Sequence, residues 1–244
     1  MDRRLVQPRG IPATPWLEHL ARHLPVARAG QDPEGVHQVR VAAARLAVWL
    51  RLGGRRMLAD DLRWLRGSAS EVRDLDVALG LGGPLAYLED LRRRWAKARE
   101  RMLVHLGSRR LPALMLALGY SPPIERAVAE RRTARWLERA IRIGDRLDWI
   151  GVVDGELHSY RRRVRRLRYA LDWTGRKVKA VKDLSEELGA VNDLAVLIER
   201  QERGDPLSGS ALPFDDVRDR LAERRAAVAE RWPALSKALT KGRL

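Results

Sequence analysis

The sequence predicts an all-α protein, and three observations carry the prediction. Leu, Ala, Arg and Glu recur at helical spacing almost everywhere, and extended period-2 runs of Val, Ile, Thr and aromatic residues are missing. Gly- and Pro-rich breakers cut the chain into segments of helical length: Gly30-Gln31-Asp32-Pro33, Gly53-Gly54, Gly80-Leu81-Gly82-Gly83-Pro84, Ser121-Pro122-Pro123, Gly204-Asp205-Pro206 and Ser208-Gly209-Ser210. A long-period repeat relates the two halves of the chain.

Between the breakers, helices are expected near 14–24, 34–52, 56–79, 84–106, 123–149, 153–174, 177–203 and 214–231, with short ones near 110–118 and 233–240. Pro33, Pro84 and Pro123 each fall near a proposed helix start, where a missing N–H costs nothing and the fixed φ suits the first turn. Four helices per half suggest helical bundles, with residues 1–13 as an N-terminal tail and 14–240 as one domain.

The repeat sets Val36-His37-Gln38-Val39-Arg40 through Leu46 against Leu157-His158-Ser159-Tyr160-Arg161 through Leu167, at a spacing of 121 residues. In this register Val36, Val39, Ala43, Leu46 and Leu50 pair with Leu157, Tyr160, Val164, Leu167 and Leu171, which form one helical stripe in each copy. A second match follows: Arg63-Trp64-Leu65 and Glu71 through Val77 against Lys182-Asp183-Leu184 and Ala190 through Val196, at a spacing of 119. Two ordered matches argue for duplication of a four-helix unit, 14–120 and 121–240, and for two bundles packed about a pseudo-two-fold axis.

Of the 244 residues, 48 are Lys or Arg and 32 Asp or Glu, a formal net charge of +16 that suits a polyanionic partner. Only six of the basic residues are lysines and 42 are arginines, whose planar fork of donors matches phosphate oxygens. Cysteine is absent, which excludes disulfides, thiolate nucleophiles and cysteine-based zinc sites. The N-terminus has no apolar signal run and no later stretch approaches 18 uncharged apolar residues, so a cytoplasmic protein is expected.

His158, Arg161, Arg165 and Arg168 lie within about 80° of one another on a helix, opposite the apolar stripe, and advance about 5 Å per step along the axis. Residues 161–168 hold six arginines and no acid, so pairing along the helix cannot neutralise them, although a charged helix face is more often merely solvated. In the first copy the same face carries His37, Arg40 and Arg51, with Ala44 and Ala47 where the second copy has Arg165 and Arg168. Such a row suits an extended phosphate chain, and a histidine at its head donates from both nitrogens once protonated.

His-x-x-Arg-Val-x-x-x-Arg-Leu at 37–46, followed by Leu62-Arg63-Trp64-Leu65 and Arg73-Asp74-Leu75-Asp76-Val77, resembles the CHAD family, the conserved histidine α-helical domain. His158-x-x-Arg161-x-x-x-Arg165-Arg166-Leu167-Arg168-Tyr169 and Leu188-Gly189-x-x-Asn192-Asp193-Leu194 look like that family's second repeat, and the resemblance covers roughly 14–240. It implies paired four-helix bundles around a basic channel or groove that binds inorganic polyphosphate, with association to polyphosphate granules. The ligand positions it implies are His37, Arg40, Arg45 and Arg63, then His158, Arg161, Arg165, Arg166, Arg168 and Lys182. Arg51, Arg73 and Arg162 join them on their placement alone. Ala44 and Ala47 depart from the family's basic pattern, which points to unequal halves or to charge supplied by Arg55 and Arg56.

Asp74 and Asp193 would be repelled by phosphate and are read as partners that orient arginines. His19 and His23 stand at metal-ligand spacing but lack a third ligand, and His105 suits the last turn of its helix. The eight tryptophans, scattered along the chain without a cluster in the basic stripe, read as packing residues, with Trp173 on the rim of that stripe. No phosphate-binding loop, nucleophile signature or acidic triphosphatase pattern occurs, so the expectation is a non-catalytic binder without cofactor or metal. Phosphate or sulfate ions would fit the same positions. A nucleic-acid-binding module is the alternative that the charge alone supports, and an accessory subunit of a phosphate-metabolising enzyme is another.

Overall fold

The computed structural model describes residues 10–82, 85–202 and 213–241. Pro84, the breakers at 204–206 and 208–210 and the first nine residues of the expected tail lie outside them. The described chain is helical apart from one two-residue antiparallel ladder, in which β1 (Gly10–Ile11) pairs with β2 (Ile124–Glu125). Ile11 and Ile124 of the ladder are part of the first core, and the buried indole of Trp49 donates to the Ile11 carbonyl at 2.9 Å.

The first half holds α1 (Thr14–Ala29), α2 (Pro33–Leu52), α3 (Ala59–Ser68), α4 (Ser70–Leu81), α5 (Leu85–Gly107) and α6 (Arg110–Gly119). The second holds α7 (Arg126–Gly144), α8 (Asp154–Thr174), α9 (Lys179–Glu202) and α10 (Phe214–Lys241). Local signals explain several boundaries. Asp32 caps α2 by accepting from the Glu34 amide at 2.8 Å, with Pro33 in the first turn. Gly30 and Gly175 end α1 and α8 in the left-handed conformation.

Four expected boundaries are corrected. The single helix at 56–79 is two, divided at Ala69, which is fully buried and flanked by Gly67, Ser68 and Ser70. The stop after residue 24 is overrun, because α1 continues through Pro25 while Leu24 and Ala27 are buried. The two helices at 214–231 and 233–240 are one, α10, which continues through Pro233 between buried Trp232 and Leu235. The helix expected at 123–149 is shorter: Ile124 and Glu125 are taken by the ladder, and α7 ends at Gly144.

The sequence stripe is the core. Val36, Val39, Ala43, Leu46 and Leu50 on α2, and Leu157, Tyr160, Val164, Leu167 and Leu171 on α8, are all buried. Two hydrophobic cores result, one gathering residues from Ile11 to Ala129, the other from Leu137 to Leu239, with Trp136 packed against both. The last turn of α8 crosses between them, since Tyr169, Ala170 and Trp173 join the first core while Leu157 to Leu171 build the second. At the α1–α2 crossing, a Cβ on Gly35 would come within 2.5 Å of the Ala27 backbone nitrogen, so the two helices touch backbone to side of backbone there.

Arginines also hold the helix ends. Arg28 donates to the Leu106 carbonyl at the end of α5, and Arg99 to those of Arg28 and Ala29 at the end of α1. Arg132 donates to the Arg51 and Leu52 carbonyls at the end of α2, and Arg126 to the Thr174 carbonyl at the end of α8. The last carbonyls of a helix lack intrahelical donors and carry partial negative charge, so a guanidinium satisfies both needs. Among the described residues, no helix is long and apolar enough to cross a membrane.

Candidate functional site

α2 and α8 pack against each other, and α3 packs on α2, leaving a cavity of about 440 Å³ along their junction. Seven arginines line it: Arg51 from the end of α2, Arg55 from the following turn, Arg63 and Arg66 from α3, and Arg162, Arg165 and Arg166 from α8. Its described lining contains no carboxylate and no histidine. Ala43, Ala44, Ala47 and Ala59 contribute small side chains to the wall, with Tyr169 and Ser70 adding hydroxyls.

The α2–α3 turn shapes one end. Gly54 takes φ of 71° and leaves space for Arg132, since a Cβ there would lie 2.5 Å from its guanidinium. Arg132 caps α2 from that space, and Arg55 reaches the Pro122 carbonyl at 2.6 Å while covering the Trp49 ring. Arg63 is exposed and pairs with Asp60 one helical turn before it at 2.6 Å, a contact that water and salt weaken.

The arginines crowd one another. Withdrawal from water depresses the Arg66 guanidinium below its ordinary value, and the charges of Arg165 and Arg40 add to this. Burial does the same to Arg161, with Arg165 adding and Asp193 opposing. Arg166 is pushed down to about 10, by burial first and then by Arg51, Arg163 and Arg162. A value near 10 still leaves the group charged at neutral pH, so these guanidiniums repel one another.

Arg40 and Arg161, which correspond in the repeat, stand beside corresponding carboxylates: Arg40 is 3.6 Å from Asp74, and Arg161 is 3.8 Å from Asp193. Both aspartates therefore flank arginines as the sequence suggests. Burial lowers the Arg40 guanidinium, Asp74 opposes this, and Arg73 and Arg165 reinforce it, which puts Arg40 beside the groove. Its guanidinium also lies 3.5 Å from the carbonyl of Ser70, a groove residue. His37 is half-buried nearby; burial depresses its imidazole, as do Arg73 and Arg40, against Glu34.

Of the thirteen ligand positions expected from sequence, Arg51, Arg63, Arg162, Arg165 and Arg166 line this cavity, and Arg40, Arg73, His37 and Arg161 form its electrostatic surroundings. Others are placed elsewhere. Arg45 is held between the Trp16 and Tyr169 rings, 4.3 and 4.4 Å from their centroids, and pairs with Asp172 at 2.6 Å. His158 bonds Asn192 at 2.7 Å and faces a different cavity, of about 770 Å³, between α8, α9 and α10. Lys182 is exposed on α9, 3.8 Å from Glu186, and Arg168 lies 5.4 Å from the Tyr169 ring. Arg66 escapes sequence analysis because it is one arginine on the polar face of a short helix; its only signal is that it falls one turn after Arg63.

The tryptophans serve packing. The indole N–H of Trp173 donates to the Arg45 carbonyl, that of Trp149 to Gly144, that of Trp95 to Asp76 and that of Trp232 to Asp145. Trp173 is thereby buried at the α2–α8 contact. His19 bonds Gln38 and stacks near His23, and His105 lies 5.9 Å from the Trp64 ring. Among the described residues no cluster of acidic or histidine side chains could hold a metal ion.

Fold and site define an all-helical protein with two cores, joined at a crossing of two arginine-bearing helices. The pattern of the CHAD domain matches residues 13–176, and this chain belongs to the CHAD domain family. Its fold is similar to the crystal structure of the CHAD domain from the plant Ricinus communis, with a TM-score of 0.71 and 24% identity. That likeness covers 97% of this chain and 94% of the plant chain, so it extends through α9 and α10 beyond the matched pattern. Comparison with curated proteins gives no match.

Proposed function

We propose that this protein binds inorganic polyphosphate in the groove between α2, α3 and α8 and does not cleave it. The observation that carries this reading is the set of seven arginines lining one cavity with no carboxylate among its described liners. A thin chain with one negative charge per phosphate neutralises such a surface at many points, through charge-assisted hydrogen bonds and release of counterions. Arginine and alanine walls supply neither a metal-holding carboxylate nor a general base, which supports holding over hydrolysis. No tryptophan is among the described groove liners, and Trp49, Trp149, Trp173 and Trp232 are buried, so their ring faces do not reach a base, which favours polyphosphate over RNA or DNA.

The same reading takes the chain as an internal duplication, 14–120 and 121–240, whose histidine helices α2 and α8 meet at the groove. The Arg40–Asp74 and Arg161–Asp193 pairs support it, since they repeat one contact at corresponding positions. A cytoplasmic setting at polyphosphate granules suits such a binder.

Competition tests the function. Labelled long-chain polyphosphate bound near physiological salt is challenged with unlabelled polyphosphate, RNA and duplex DNA at equal phosphate concentration. Displacement by polyphosphate alone is the expected result; equal displacement by RNA or DNA would overturn the assignment.

A further inference from the structure

Two residue pairs shared between α2 and α8 are counterparts in the repeat, yet they carry opposite electrostatics. At the 121-residue spacing that sets His37 against His158, Arg45 corresponds to Arg166 and Arg51 to Asp172. At one of them Arg45 meets Asp172 at 2.6 Å, and its guanidinium lies over the Trp16 and Tyr169 rings. At the other, Arg166 and Arg51 line the same cavity, with no carboxylate among its described liners. Ala44 and Ala47, at the positions of Arg165 and Arg168 in the register, leave open the space that a second set of arginines would fill.

We propose that the duplication has been broken to make a single anion seat: one phosphate group settles between Arg51 and Arg166, where Asp172 stands beside Arg45, and each chain holds one such seat. This rests on the anion-binding reading of the groove and fixes its location, sidedness and number. The Asp172 contact shows what the crossing accepts, an oxygen anion on a guanidinium. The open pair presents two guanidiniums and no internal oxygen anion, so the anion must come from outside. The depression of Arg166 by burial and by Arg51 agrees with an unneutralised pair.

Calorimetric titration of the full chain with inorganic tripolyphosphate reads the number of seats. One equivalent per chain is expected; two equivalent sites would overturn the proposal. Arg51→Asp supplies the missing carboxylate, so it should raise the melting temperature in phosphate-free buffer and weaken tripolyphosphate binding by about tenfold or more. Arg51→Gln should weaken binding similarly with a smaller rise in melting temperature, and it decides the matter if Arg51→Asp does not fold. Wild-type affinity in the folded variants removes the seat and leaves the function standing. Failure of the wild type to bind either tripolyphosphate or long-chain polyphosphate removes both.

Discussion

Arg45 and Asp172 are 127 residues apart in sequence and 2.6 Å apart in space, and they tie the middle of α2 to the last turn of α8. The neighbouring indole of Trp173 bonds the Arg45 carbonyl at 2.9 Å, so the tie is made through both side chain and backbone. The Arg45 side chain is only 15% exposed, which strengthens a contact that would be weak on an open surface. A residue that resembles a ligand in sequence thus serves as the brace beside the groove.

Removing one end of this brace should destabilise the protein. Arg45→Ala is expected to cost about 2–3 kcal/mol, through lost ion pairing and lost stacking on two rings, and Asp172→Ala about 1–2 kcal/mol. Urea denaturation of each variant checks both values, and an unchanged midpoint for Arg45→Ala would contradict the assignment.

The groove arginines should act together. Arg162, Arg165 and Arg166 changed to Gln in one chain should lose polyphosphate binding almost completely, whereas Lys182→Gln at an exposed position of α9 should stay within about twofold of wild type. Filter binding with labelled polyphosphate compares them. Tight binding by the triple variant would place the ligand elsewhere.

Salt dependence follows from the same contacts. With about six or more phosphates engaged, affinity should fall on the order of a thousandfold between 50 and 200 mM salt. A shallow slope would mean that few of the seven arginines touch the ligand.

His37 gives the pH dependence its sign. Burial, Arg73 and Arg40 hold its folded value below the unfolded value of 6.5, so the unfolded chain takes up a proton first as pH falls. The free protein should therefore lose stability from His37 as pH drops below 6.5 toward that lower value, and gain nothing further above 6.5. A bound polyphosphate favours the charged imidazole, so affinity should rise over the same fall in pH. Binding measured from pH 7.5 to 5.5 tests this, with His37→Gln expected to flatten the rise.

The α1–α2 crossing has no room to spare. Gly35→Ala would drive a methyl group to 2.5 Å from the Ala27 backbone nitrogen and 2.7 Å from the Val26 carbonyl carbon, where neither atom can rotate away. A loss of about 1–3 kcal/mol is expected by thermal or urea denaturation.

Periodic signals in the sequence survive folding, and contacts between distant segments do not announce themselves. The apolar stripe at ten positions of α2 and α8 is legible because burial follows the helical repeat. Arg162, Arg165 and Arg166 are legible because six arginines in eight residues have no local acid, and Arg55 because it follows the diglycine turn. The brace at Arg45 is not legible, since Trp16, Tyr169 and Asp172 reach it from two other stretches of chain. The division at Ala69 is nearly hidden, because α4 starts there without a side-chain cap or proline, and only Gly67, Ser68 and Ser70 around it hint at a break. Pro25 and Pro233 signal stops that do not occur, as buried neighbours on either side carry each helix onward.

Because α8 lends its final turn to the first core and its remaining length to the second, neither half owns the groove. A fragment ending near Ser121 would keep Arg51, Arg55, Arg63 and Arg66 but present them on an open face, with the facing wall of Arg162, Arg165 and Arg166 gone. Such a piece would be a sticky basic surface without shape. In the proposed function, grip on a phosphate chain would then belong to the undivided polypeptide, because each half supplies only part of the arginine lining.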